Sequence, residues 1–171
     1  MDRVRADMGA PGQRVRWVQV EGLHVTLRFL GPTRADLVTA AGEAVSQAAA
    51  VVPQPFEVRL AGAGGFPDAL RPRALWLGIR SGAEPLGRLA AALESTLGAA
   101  GWALESRAFR PHLTIARTDG VGAGSDAAQR LIAAAEELDL AFDIDRIVLY
   151  RSHLGRGPAR YEALGEAVLG R

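Results

Sequence analysis

The chain has 171 residues, 49% of them apolar, which is enough to bury a core of its own. It contains no cysteine, which excludes disulfides, thiolate nucleophiles and zinc held by sulfur. Twenty basic residues, all arginine, stand against nineteen acidic ones, so no global positive field gathers nucleic acid, and no lysine is present to form a lysyl adenylate.

Residues 15–20 and 23–30 alternate as strands around Glu21-Gly22, which predicts a hairpin. Gly31-Pro32-Thr33 ends the second strand, and Thr33 is placed to cap a helix running through an Ala-rich stretch to about Val51. Phe56, Val58 and Leu60, then Leu75, Leu77 and Ile79, alternate with polar neighbours. They predict two half-buried strands flanking a Gly/Pro-rich loop over 62–72, of which Gly62-Ala63-Gly64-Gly65 reads as a flexible rim. Leu86, Leu89, Ala90, Leu93 and Leu97 follow helical spacing, with a stop near Gly101. A strand over 109–117, a helix from Ser125 to about Leu138, and strands over 142–150 and 160–169 complete the chain. This mixture predicts an α+β fold with antiparallel sheets and helices on the outer faces. No apolar run approaches the roughly 20 residues that cross a bilayer, and residues 1–7 lack the apolar stretch of a secretory signal. A monomeric cytoplasmic protein without membrane contact is expected.

Two of the three histidines sit in matching surroundings, Leu23-His24-Val25-Thr26-Leu27 and Pro111-His112-Leu113-Thr114-Ile115. With six threonines in 171 residues, two chance His-x-Thr pairs among three histidines have a probability of about 0.4%. A lone His-x-Thr on a strand is ordinarily a solvent-facing pair with no task, but two copies suggest two related lobes, each presenting an imidazole and a hydroxyl on one face. Opening a five-membered cyclic phosphate with water needs a base for the water, an acid for the departing oxygen, and donors for the non-bridging oxygens. Imidazoles, with an ordinary pKa near 6.5, suit both proton-transfer roles. Thr26 and Thr114 supply hydroxyls. Neither motif carries a carboxylate or a second close nitrogen, so a metal site is not expected, and Asp143 and Asp145 read as turn or strand-edge residues.

At these motifs, at Trp17-Val18, along Arg28-Phe29-Leu30-Gly31 and Phe109-Arg110, at Ala116-Arg117, and in the tail Leu149-Tyr150-Arg151-Ser152 with Tyr161, the chain resembles the two-histidine phosphoesterases. Within these it is most similar to the bacterial RNA 2′,3′-cyclic phosphodiesterases, also called 2′-5′ RNA ligases. The resemblance covers nearly the whole chain and implies a single bilobal domain over 1–171, with two pseudo-symmetric halves around a central cleft. It also implies cofactor-free hydrolysis of 2′,3′-cyclic phosphate ends of RNA or nucleotides to 2′-phosphomonoesters. On the family pattern His24 protonates the leaving 3′ oxygen, His112 activates water, and Thr26, Thr114 and Arg117 hold the phosphate. Alternatives are 2′-5′ ligation by the same residues, and an RNA-end-binding module without turnover. Family members open with a strand and helix ahead of the first motif, so residues 2–13 read as the tail of that helix, with the elements before it missing.

Arg117 follows Thr114 by three and would point to the opposite face of a regular strand, so its assignment requires the strand to end or bend there. Arg28 shares the face of His24 and Thr26 but reads as a solvated arginine. His153 has no Thr partner and is expected at the surface. Phe66, Trp76 and Tyr150 are candidates to stack on a base, Phe66 foremost, with Trp76 better explained by the core. Gly62-Ala63-Gly64-Gly65 carries no P-loop lysine.

Overall fold

Alternating burial along the strands builds the main sheet: Val58, Leu60, Leu75, Leu77, Leu113 and Ile115 are all buried. The computed structural model describes residues 15–118, 123–153 and 159–170. Five strands join in the order β1-β4-β3-β2-β5, namely β1 (Val15–Trp17), β2 (Phe56–Phe66), β3 (Ala74–Ser81), β4 (His112–Thr118) and β5 (Leu140–Ile144). A separate antiparallel ribbon pairs β6 (Arg146–His153) with β7 (Arg160–Val168). The described helices are α1 (Val38–Ala49), α2 (Ala83–Ala99) and α3 (Ala123–Ala134). This is the α+β mixture that the apolar periodicities predict, and no described helix is long and apolar enough to cross a membrane.

The described chain divides into two compact units. The first comprises the described residues up to Val25, Arg59–Arg80 and His112–Ala141. Here α3 packs on β1, burying Ala127, Ala128 and Leu131. The second comprises Thr26–Val58, Ser81–Pro111 and the described residues from Phe142 on. In it α1 packs on α2, β6 and β7 around Val45, Ala48, Leu89, Leu93, Ile147 and Leu169. The alanines of α1 present little side-chain bulk, so α2 and the ribbon approach closely.

Four local expectations are corrected. The hairpin over 15–30 does not form: β1 pairs with β4, and residues 23–30 contribute a single bridge, Val25 to Leu113, also on β4. Glu21-Gly22 belongs to a 3-10 turn, Val20–Gly22, closed by the Gly22 and Leu23 N–H groups donating to Gln19 and Val20. That turn returns the chain to the same neighbour, because both flanks pair on the edge of β4. The strand expected over 142–150 breaks at Asp145, where the Leu169 N–H donates to the Asp145 carbonyl and the chain passes from β5 into the ribbon. The Thr33 hydroxyl donates to Gly31 O rather than capping α1, which a 3-10 turn at Ala35–Leu37 precedes. Residues 2–13 lie outside the described residues.

The fourth correction concerns the loop over 62–72. β2 continues through its glycines to Phe66, and the remainder is fastened rather than free. Asp68 Oδ1 accepts the N–H groups of Leu70 and Arg71 at 2.8 and 2.9 Å, and the Arg73 N–H donates to Phe66 O. The Thr118 hydroxyl donates to the carbonyl of buried Pro72, and the Thr118 N–H donates to Arg73 O at 3.1 Å. The loop is thereby stapled to the end of β4.

Arg28 is a structural anchor rather than a solvated residue. Its side chain is only 13% exposed, with Nε 2.8 Å from Glu94 and Nη2 donating to Ala103 O at 2.5 Å; Nη1 lies 3.4 Å from Glu105. Removing it leaves Glu94 and the Ala103 carbonyl without their cation and takes one of two from Glu105, which Arg107 Nε also approaches at 3.3 Å. Arg28→Ala is expected to lower stability by about 1–3 kcal/mol, read as a drop in the urea midpoint at unchanged m-value.

Candidate functional site

β3 is regular, so Ala74, Trp76 and Gly78 share one face. Their partners on β4 are Arg117, Thr114 and His112, because Ile115 is an extra residue: Leu75 pairs with Ala116 while Trp76 pairs with Thr114. This is a β-bulge, with two residues on one strand facing one on the next. It reverses the alternation of β4, so that Ile115 and Ala116 are both buried while His112 and Thr114 are half-buried and Arg117 is exposed. The bend that Arg117 requires is therefore present, and the bulge puts its guanidinium on the face that carries His112 and Thr114.

Val25 bridges Leu113 on the opposite, buried face, so His24 falls by alternation on the open face. In the register of that bridge His24 stands across from Thr114. The His24 Nδ1–H donates to Gly22 O at 2.8 Å, which closes the 3-10 turn onto the ring. That bond makes Nδ1 a protonated nitrogen and fixes the orientation of the ring. The turn, which looks in the sequence like a hairpin connection, thus serves to orient this side chain.

His112 is held by aromatic rings. Phe66 meets it edge to face, with centroids 4.9 Å apart and planes at 77°, and Trp76 stands 5.3 Å from Phe66 and 6.3 Å from His112. Two glycines make the space. A Cβ on Gly64 would sit 2.4 Å from the Trp76 ring, and one on Gly78, opposite His112, would meet Ala61 O at 2.6 Å. Among the described residues the Trp76 Nε1–H is buried without an acceptor. Phe66 therefore packs against the imidazole instead of standing free on a loop tip, and Trp76 joins it rather than the core alone. The signal for this arrangement lies in the sequence, as small residues at 64 and 78 beside aromatics at 66 and 76, but only strand register reveals it.

His24, His112, Thr114 and Arg117 thus share one face of the first unit. Both histidines fall within the first unit, whose boundary lies between Val25 and Thr26. Thr26 is exposed and begins the second unit. His153 is exposed on the ribbon, its Nε2 2.8 Å from Glu162, whose carboxyl it holds below the usual range; Arg151 supports the same carboxylate. Tyr150 packs at 5.9 Å on Tyr161 in the same ribbon. Among the described residues no group of three or more His, Asp and Glu is arranged to hold a metal ion.

The family model for the 2′-5′ RNA ligase superfamily matches residues 3–156. A protein of Aeropyrum pernix named RNA 2′,3′-cyclic phosphodiesterase is 30% identical over 165 residues, covering 96% of this chain and 92% of its own. An Escherichia coli K12 protein of the same name is 32% identical over 155 residues, covering 90% of this chain and 80% of its own. Among solved structures, E. coli LigT complexed with 3′-AMP superposes with a TM-score of 0.73 at 27% identity, over 99% of this chain and 89% of that one. The paired His-x-Thr segments joined on β4 and these matches over nearly the full length lead to one conclusion: the chain belongs to the 2′-5′ RNA ligase superfamily.

Proposed function

We propose that this chain hydrolyses 2′,3′-cyclic phosphate ends of RNA or nucleotides to 2′-phosphomonoesters. The observation that carries the reading is the bridge between Val25 and Leu113, which brings two His-x-Thr segments side by side with His24, His112 and Thr114 on one open face. Relatives named for this activity support it.

In the reaction, water attacks phosphorus as His112 takes its proton, and the bond from phosphorus to the ribose 3′ oxygen breaks. His24 supplies the proton that this oxygen needs. Attack and departure lie on opposite sides of phosphorus, so acid and base must be distinct groups flanking it, one neutral and one protonated. Thr26, Thr114 and Arg117 hold the non-bridging oxygens, the arginine fork matching two of them and stabilising the added charge. No step calls for a metal or cofactor. The whole chain works as one functional domain, a monomer in the cytoplasm. Ligation to a 2′-5′ linkage would use the same groups with a ribose hydroxyl in place of water.

His24→Ala and His112→Ala are each expected to lower kcat on a 2′,3′-cyclic nucleotide by about 10²–10⁴-fold, the range of a general acid or base. Circular dichroism should be unchanged, and a near-normal rate in either variant would reject the mechanism. The wild-type rate should persist in chelator, with a 2′-monophosphate as product by mass and NMR analysis; a longer strand from RNA fragments would instead reveal ligation. Arg117→Gln should cost roughly 10²-fold in kcat/KM. Gly64→Ala, which drives a methyl into the Trp76 ring, should lower kcat without removing any proton-transfer group.

A further inference from the structure

We propose that Arg80 is a further phosphate-holding residue, reaching the non-bridging oxygens from the side of His112 opposite to Thr114 and Arg117. This rests on the hydrolytic reading above. Burial along β3 alternates, with Leu75 and Leu77 turned inward, so Ala74, Trp76, Gly78 and Arg80 leave the face that carries His112, Thr114 and Arg117. Arg80 is exposed, and it belongs to the first unit together with His112, Thr114 and Arg117. Gly78 pairs with His112, and Ala74 pairs with Arg117. Counted along β3, Arg80 therefore lies two positions, about 7 Å, from the level of His112, whereas Arg117 lies four positions, about 14 Å, on the other side. The residue of β3 between Arg80 and that level on the same face is Gly78, which has no side chain to stand in the way; a Cβ there would meet Ala61 O at 2.6 Å. Arg80 thus starts nearer to the imidazole than Arg117 does.

An exposed arginine near a strand end is ordinarily solvated, or guards a sheet edge. β3 is an interior strand with β4 and β2 on its two sides, so edge protection does not account for Arg80. Acidic residues are nearly as many as arginines, and Arg28, Arg59, Arg88, Arg146 and Arg151 each stand in an ion pair. Among the described residues Arg80 and Arg117 stand in none. These two guanidiniums bracket His112 and Thr114 on one face, and no acidic side chain neutralises either of them there. An anion lying over that row meets a fork at each end, and guanidinium forks match phosphate oxygens in a bidentate way. As the attacking water loses its proton to His112, negative charge gathers on the non-bridging oxygens. A cation on each side of the imidazole stabilises that state more than the cyclic phosphate itself.

The test uses the full chain, with cytidine 2′,3′-cyclic phosphate as substrate and inorganic phosphate as competitor. In Arg80→Gln, kcat/KM is expected to fall about tenfold or more, and the inhibition constant of inorganic phosphate to rise by a similar factor, the scale of one hydrogen bond to a charged group. Arg80→Lys keeps the charge without the fork and should recover part of both. Arg88→Gln removes an equal charge from an exposed position on α2 and should stay within about twofold of wild type on both measures. A loss in Arg80→Gln no larger than in Arg88→Gln, or an unchanged inhibition constant for phosphate, would overturn the contact while the hydrolytic reading stands. A wild type that opens no cyclic nucleotide would reject the hydrolytic reading instead. Direct titration of wild type and Arg80→Gln with inorganic phosphate then decides the contact by itself: weaker binding by the variant supports it, and equal affinity or no binding by either overturns it.

Discussion

The extra residue in β4 governs which side chains can act together. A strand alternates strictly, so without the bulge at Ile115 Arg117, three residues beyond Thr114, would point to the buried side of the sheet. With Ile115 and Ala116 both turned inward, the apolar layer stays filled and Arg117 emerges beside Thr114. One residue of added length thus reconciles a packed back with a charged front, a recurrent use of bulges near functional sites.

The bulge needs a firm frame, and the loop over 62–72 provides it. Thr118, just past the bulge, ties β4 to Pro72 and Arg73, while Gly124 at the start of α3 packs against Pro72 and Thr118. The other end of the loop leads back to Phe66, whose ring rests on His112. A single stretch of chain therefore fixes both ends of β4: the imidazole at its start by aromatic packing, and the turn of alternation at its end by hydrogen bonds. An imidazole held on one edge by an aromatic ring loses rotamer freedom before substrate arrives, which is the kind of preorganisation that proton transfer rewards.

The two histidines are oriented by different means. His24 is set by a hydrogen bond from its own ring to a 3-10 turn two residues earlier, a local device. His112 is set by rings from β2 and β3, a long-range one. The segment after His24 is held separately, by Arg28 reaching Glu94, Glu105 and Ala103 within the second unit. The first His-x-Thr is consequently anchored on both sides of the boundary at Val25–Thr26, its His by one unit and its Thr by the other.

The sequence by itself determined the α+β mixture, most element positions, and the paired His-x-Thr segments, because these rest on apolar periods and short-range motifs that survive without knowledge of partners. It also carried the family resemblance that assigns Arg117. What only the tertiary structure decided was pairing: that 15–17 and Val25 share β4 instead of each other, that the strand over 142–150 splits between two sheets, and that a glycine-rich loop is stapled. Pairing depends on which backbone edges remain unfilled and on bulges one residue long, neither of which leaves a periodic mark in the chain. For the same reason Arg28, Arg117 and Phe66 could be named from the sequence, but their surroundings were fixed only once the strands found their register.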